Sequence, residues 1–172
     1  MREMRYYKAV IIFFIAFIIQ TTVLSKVLIL GISLNILLCL TVVFTYLYDQ
    51  NFGLICGLIF TLFIDFTTSM VVGVETFTVA LACIPVVIIR MIFNPERTVP
   101  CALLAVAATF INIFGVWALY NISGVNANIS SSLSMLPGSL LCNVVLTIIL
   151  HLFFVRTIIR HKRDRNYSGG VM

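Results

Sequence analysis

Charge is what this chain lacks. Only 10% of its 172 residues are Asp, Glu, Lys or Arg, while 62% are hydrophobic and the mean hydropathy is +1.15. A single soluble core of this chain length has too little interior to hide that much hydrocarbon, so bilayer lipid is the expected solvent. Acids are the scarcer sign: Glu3, Asp49, Asp65, Glu75, Glu96 and Asp164. A transport pump usually needs more ionisable groups at mid-depth than these. Glu3, Glu96 and Asp164 have cationic neighbours, and Asp49 sits in a turn sequence, Tyr48-Asp49-Gln50-Asn51. Asp65 and Glu75 stand apart.

Reactive constellations are also missing. The five cysteines, Cys39, Cys56, Cys83, Cys101 and Cys142, all lie in apolar stretches and never at Cys-x-x-Cys spacing. They read as small hydrophobes. Neither His151 nor His161 is at ligand spacing with a carboxylate. His161 belongs to a basic tail, and His151 reads as an interfacial group near the end of the last apolar segment. There is no phosphate-binding glycine loop, nucleophile elbow or zinc-ligand helix. The expectation is a protein with no catalytic residue, cofactor or metal site and no small-molecule substrate.

What the chain does have is hydrophobic length. Six apolar segments are expected, at Ala9–Leu24, Leu34–Tyr48, Phe52–Phe66, Val74–Phe93, Val99–Tyr120 and Ser134–Val155. About 20 helical residues cross a ~30 Å hydrocarbon core. The last three segments meet that length, and the first does if it continues past Ser25 toward Leu30. The second and third are short, and either span a thinned bilayer or form a re-entrant hairpin. The fold class is therefore all-α, a polytopic integral membrane helix bundle in one domain, residues 1–172, with a basic tail over 156–172. The first segment has no small-x-small site after its apolar run, so it reads as an uncleaved helix.

The cations orient that topology. Ten of the eleven Lys and Arg residues fall in loops on one side: Arg2, Arg5, Lys8, Arg90, Arg97, Arg156, Arg160, Lys162, Arg163 and Arg165. Lys26 alone is on the other. This bias predicts that both termini are cytoplasmic. The net charge of +5 is then topology plus a tail suited to anionic lipid, not a nucleic-acid signal.

One constellation stands out. Gly53, Gly57, Thr61 and Asp65 recur every four residues and form one helical stripe. The glycines allow a neighbouring backbone to approach, and Thr61 is expected to hydrogen-bond across that contact. Asp65 ends the stripe where the helix dipole disfavours an anion. It is expected to act as a hydrogen-bond acceptor for free N–H groups of the Thr67–Gly73 loop or of a partner. Asn35, Asn112 and Asn143 call for interhelical partners. Ala105, Ala108, Asn112 and Gly115 form a small-residue seam. Tyr46 and Tyr48 read as one interface belt, Trp117 and Tyr120 as the other.

The run Leu34-Asn35-Ile-Leu-Leu, then Gly53-Leu-Ile-Cys-Gly57-Leu-Ile, then Asp65, then Gly73, resembles the MreD family of rod shape-determining membrane proteins. In that family a Pro often precedes the Asn or Asp; here Leu34 does. The motifs carry the resemblance from Asn35 to about Thr78. It implies a non-enzymatic scaffold in a bacterial plasma membrane, bound to a bitopic MreC-like protein. MreB, the RodA glycosyltransferase and a class B penicillin-binding protein would then be indirect partners. It also implies that Asn35, Gly53, Gly57, Thr61, Asp65 and Gly73 serve packing or partner contact. The alternative is the S component of an energy-coupling-factor vitamin transporter, a class of similar size and helix number. Such components usually dock through Ala-x-x-x-Ala in the first helix. Here Ala9 and Ala16 are seven apart, with Phe13 and Phe17 among them.

Overall fold

The structure is a computed structural model that describes residues 6–24 and 34–168, with side chains described over 6–22 and 34–156. Among the described residues there are helices and turns and no strand. Helix α1 is Tyr6–Ile19 and opens into a π-helical turn, Gln20–Leu24. There the Thr21 and Thr22 hydroxyls donate back to the carbonyls of Phe17 (3.0 Å) and Ile18 (2.6 Å), competing with the backbone ladder. The expected continuation toward Leu30 and the lone cation Lys26 lie outside the described residues.

Helix α2 is Ile36–Leu47, only 12 residues and about 18 Å long. Every residue from Leu37 to Leu47 is buried. A helix apolar on all sides belongs inside a bundle, and α2 packs against all five other helices. Helix α3, Gln50–Thr68, is not short: its 19 residues are long and apolar enough to cross a membrane. The expected Phe52–Phe66 is extended at both ends by polar residues that hydropathy discounts. Asp49 caps the start, accepting from the Asn51 and Phe52 amides at 3.0 and 3.4 Å. Thr67 and Thr68 prolong the end by donating back to Ile64 O, both at 3.0 Å. The expected shortness therefore holds for α2 and fails for α3.

Helices α4 (Val74–Ile92) and α5 (Thr98–Ile122) are also of spanning length. Helix α6 runs Ile129–Ser168, with its apolar part over Ile129–Arg156. It starts earlier than Ser134 because the Asn128 side chain accepts the Ser130 N–H at 3.1 Å. Pro85 and Pro137 lie inside α4 and α6. Among the described residues, four helices are thus apolar and long enough to cross a bilayer, which makes this a multi-pass membrane protein. A broad exposed apolar surface, including Phe14, Phe63, Ile88 and Phe153, faces outward where lipid is expected.

The chain has two distinct ends. At one, Tyr6 of α1 meets Tyr48 and Phe52, Arg90 reaches the end of α2, and His151 reaches the α4–α5 turn. We call this the basic end. At the far end, Gln20, Asn35, Asp65 and Glu75 gather.

Candidate functional site

Helix α4 begins at Gly73, whose φ of +94° is left-handed and which has no side chain to cap the helix. Asp65 of α3 supplies that cap from the preceding helix. Its Oδ1 accepts the Glu75 N–H at 3.1 Å, and its Oδ2 accepts the Thr76 N–H at 2.8 Å. These are the second and third amides of α4, the pair that an N-cap side chain normally satisfies. The Ser69 hydroxyl donates to Oδ1 (2.8 Å) and the Thr76 hydroxyl to Oδ2 (2.6 Å). Asp65 is fully buried with four donors. The anion that is misplaced for the dipole of α3 is well placed for that of α4. The recipients are not amides of the Thr67–Gly73 loop but the first turn beyond it.

Glu75 extends this junction inward. Its Oε2 accepts from Asn112 Nδ2 of α5 at 3.3 Å and from Asn35 Nδ2 at 3.5 Å. Asn35 is the N-cap of α2, its Oδ1 accepting the Leu38 N–H at 2.9 Å. The backbone N–H of Asn35 is taken by Asn143 Oδ1 of α6 at 3.1 Å, and that of Ile36 by Gln20 Oε1, at the start of the π-helical turn that continues α1, at 2.8 Å. Asn112 also donates to Thr78 Oγ1 (2.9 Å), and Asn143 to Thr109 Oγ1 (3.3 Å). Six helices thus meet in one polar junction. Buried amides and carboxylates are tolerated in hydrocarbon only when paired in this way.

The glycine stripe lies against α2 of the same chain. A Cβ at Gly53 would run into the backbone of Phe44 and Thr45, and one at Gly57 into the Thr41 side chain. Thr61 is buried beneath them, but it does not bond across the contact. Its hydroxyl donates to Gly57 O of its own helix at 2.8 Å, because an i−4 carbonyl is the nearest acceptor for a helical threonine. Gly73 is placed differently again: a Cβ there would meet nothing within 4 Å, so left-handed φ is its constraint and not close approach. Of the six expected residues, Asn35 and Asp65 join the polar junction, Gly53 and Gly57 line the α2–α3 contact, Thr61 is buried one turn further along α3, and Gly73 opens α4. On α5, Gly115 lies close against Thr78 of α4, where its small-residue seam meets that helix.

At the basic end, two residues read as interfacial are interior. Tyr46 is fully buried and donates to Asn94 O at 3.1 Å. His151 is fully buried and its Nε2 lies 3.1 Å from Pro95 O. Loop carbonyls folded back over the bundle supply these partners, which lets polar tips sit below the surface. Arg90 caps the C-terminus of α2, donating to Thr45 O at 2.7 Å and Tyr48 O at 3.1 Å. Helix α2 is therefore clamped at both ends by side chains of other helices. Replacing Arg90 by Met should lower the thermal midpoint in detergent, at a cost of about 1–2 kcal/mol. Arg90→Lys should cost less, since one ammonium reaches a single carbonyl. Equal midpoints for Arg90, Lys and Met would show that the clamp carries no stability.

Gln20, Thr76, Thr78, Arg90 and Thr109 were not legible as site residues. Glu75 was singled out in the sequence, but no spacing gave it its partners. The described residues contain no group of His, Cys, Asp and Glu able to hold a metal ion. No protein-family model, no curated protein and no solved structure matches the chain.

Proposed function

We propose that this chain is a non-enzymatic scaffold of a bacterial plasma membrane, of the MreD kind, that supports cell elongation by binding a bitopic MreC-like protein. The observation that carries the reading is the way Asp65 is used. The ionisable residue within the resembling motif is wholly occupied in fixing α4 on α3, and the motif glycines are occupied in seating α3 on α2. Residues spent on helix geometry suit a protein whose output is a rigid surface. MreB, RodA and a class B penicillin-binding protein would be reached through that partner, and the basic tail would rest on anionic lipid.

A second reading, the S component of a vitamin transporter, draws support from the amide-rich junction of Asn35, Glu75, Asn112 and Asn143 at the far end. Against it, Ala9, Phe13 and Ala16 of α1 are buried within the chain's own bundle, Phe13 stacking on Phe60 and meeting Phe44 edge-on. That face is not free to dock on a coupling subunit. Purification in mild detergent separates the readings: a co-purifying bitopic protein with an extracytoplasmic domain supports the scaffold, and a bound vitamin without such a partner overturns it.

The reading places both termini in the cytoplasm. In a variant lacking the native cysteines, single cysteines at Ser130 and Ser168 should be labelled by an impermeant reagent from opposite sides. Labelling of both from one side would overturn the orientation.

A further inference from the structure

Helix α6 carries a buried polar residue at every fourth position: Ser139, Asn143, Thr147 and His151, at 0, 2, 0 and 0% exposure. The first two are satisfied. Ser139 donates to Met135 O at 2.8 Å, and the Asn143 side chain is held by Asn35 and Thr109. Thr147 Oγ1 and His151 Nδ1 are buried without a hydrogen-bond partner among the described residues. Neither omission is forced by the helix. Thr41, Thr61 and Thr109, equally buried, each donate to their own i−4 carbonyl at 2.6–2.8 Å, although Thr45 of α2 shares the unpartnered state of Thr147. Thr147 forgoes that bond, and the acceptor it would use, Asn143 O, is faced instead by Cys39 Sγ at 3.5 Å. The Thr147 hydroxyl faces the Cys39 sulfur, which is a weak acceptor and sends its own S–H to Asn143 O, so the lone pairs of Oγ1 are left open.

The chemistry of the two atoms is complementary to one small molecule. Pro95 O only accepts, so Nε2 is the donor nitrogen of His151, and in the neutral ring Nδ1 is left as an acceptor. A hydroxyl both donates and accepts. Side chains four apart on a helix share one face, so both groups lie on the same side of α6, where one water oxygen can make a hydrogen bond of about 2.8 Å to each. We propose that Thr147 and His151 form an interior binding site for a water molecule, which donates to His151 Nδ1 and shares a hydrogen bond with Thr147 Oγ1. Two polar partners meet the lower requirement for a structural buried water. The site ties α6 to the α4–α5 turn through the imidazole, which water orients on one edge and Pro95 on the other. It is independent of which partner the scaffold binds.

The test uses the full chain in lipid bilayers with His161→Gln, which leaves His151 as the one histidine of the two in the sequence. Its ring nitrogens are labelled and observed by water-edited solid-state NMR. The expected spectrum is a neutral ring protonated on Nε2, with early transfer of magnetisation from water. Thr147→Val should abolish most of that transfer and shift the Nδ1 resonance, while Thr147→Ser, which keeps the hydroxyl, should retain both. A ring that receives no early water transfer in the unsubstituted background, or one equally wet in Thr147→Val, overturns the proposal. So does a doubly protonated ring. The first and last of these outcomes need no Thr147 variant, so the proposal stays testable if Thr147→Val fails to fold.

Discussion

Gly53→Ala is expected to destabilise the detergent-solubilised protein more than Gly57→Ala, although the two substitutions are chemically identical and one helical turn apart. The difference lies in what each new methyl meets. At Gly53 a Cβ would stand 2.5 Å from Thr45 N and 2.7 Å from Phe44 C, both backbone atoms of α2. That backbone cannot yield, since α2 is buried on all sides and its terminal carbonyls are held by Arg90. At Gly57 the Cβ would overlap the Thr41 side chain. Turning Thr41 moves its hydroxyl and methyl at the cost of the 2.6 Å bond to Leu37 O, but its Cβ stays 2.8 Å from the new methyl, so a small shift of α3 is needed as well. Overpacking costs about 1–3 kcal/mol, and Ala regains about 1 kcal/mol of helix propensity over Gly. Gly57→Ala should therefore fall near neutral to about 2 kcal/mol destabilised, and Gly53→Ala at or above about 2 kcal/mol. Gly57→Leu, which no rotation of Thr41 accommodates, should cost up to about 3 kcal/mol and loosen partner binding in a pull-down. A stabilised Gly53→Ala, or a Gly57→Leu protein that accumulates normally with all partners, would mean that α3 does not seat on α2 as described.

This contact also shows what the sequence made legible. The spacing of Gly53, Gly57, Thr61 and Asp65 fixed one helix face, because helical period is a local property. It did not say which helix lies against that face, since that depends on the return of the chain through Asp49. Hydropathy located the apolar segments for the same local reason. It misjudged the ends of α3 because a capping aspartate and two terminal threonines are polar in composition yet helical in geometry. Residues held by distant backbone were out of reach. Tyr46 and His151 look interfacial until the carbonyls of Asn94 and Pro95 are placed over them. Arg90 looks like a topology charge until the carbonyls of α2 are seen ending at it. The interhelical needs of Asn35, Asn112 and Asn143 followed from the cost of an unpaired amide. Their meeting with Glu75 did not, because nothing in the sequence relates positions 35, 75, 112 and 143.

Asp65 is where the dipole argument and the geometry diverge most usefully. An anion at the C-terminus of α3 had to be an acceptor for something, and an acceptor alone suggests that asparagine would serve nearly as well. The geometry says otherwise. Both carboxylate oxygens are in use, each taking one backbone N–H of α4 and one hydroxyl. An asparagine has one such oxygen. Its amide nitrogen would point donor to donor at either the Glu75 or the Thr76 N–H, leaving that buried group unsatisfied at about 1–3 kcal/mol. The favourable charge at the start of α4 would go as well, worth about 0.3–1 kcal/mol. Asp65→Leu would leave both N–H groups without a cap, so its cost should exceed about 3 kcal/mol. The expected order of thermal midpoints is Asp, then Asn, then Leu, with Asn clearly below Asp. A cell-shape complementation assay should follow the same order, with Leu inactive. Ser69→Ala, which removes one of the four donors and no backbone cap, should fall between Asp and Asn. An Asn variant as stable as the unsubstituted protein would show that one acceptor suffices and that the two-oxygen cap is not what holds α4. Equal loss from Asn and Leu would assign Asp65 a charge requirement beyond the cap.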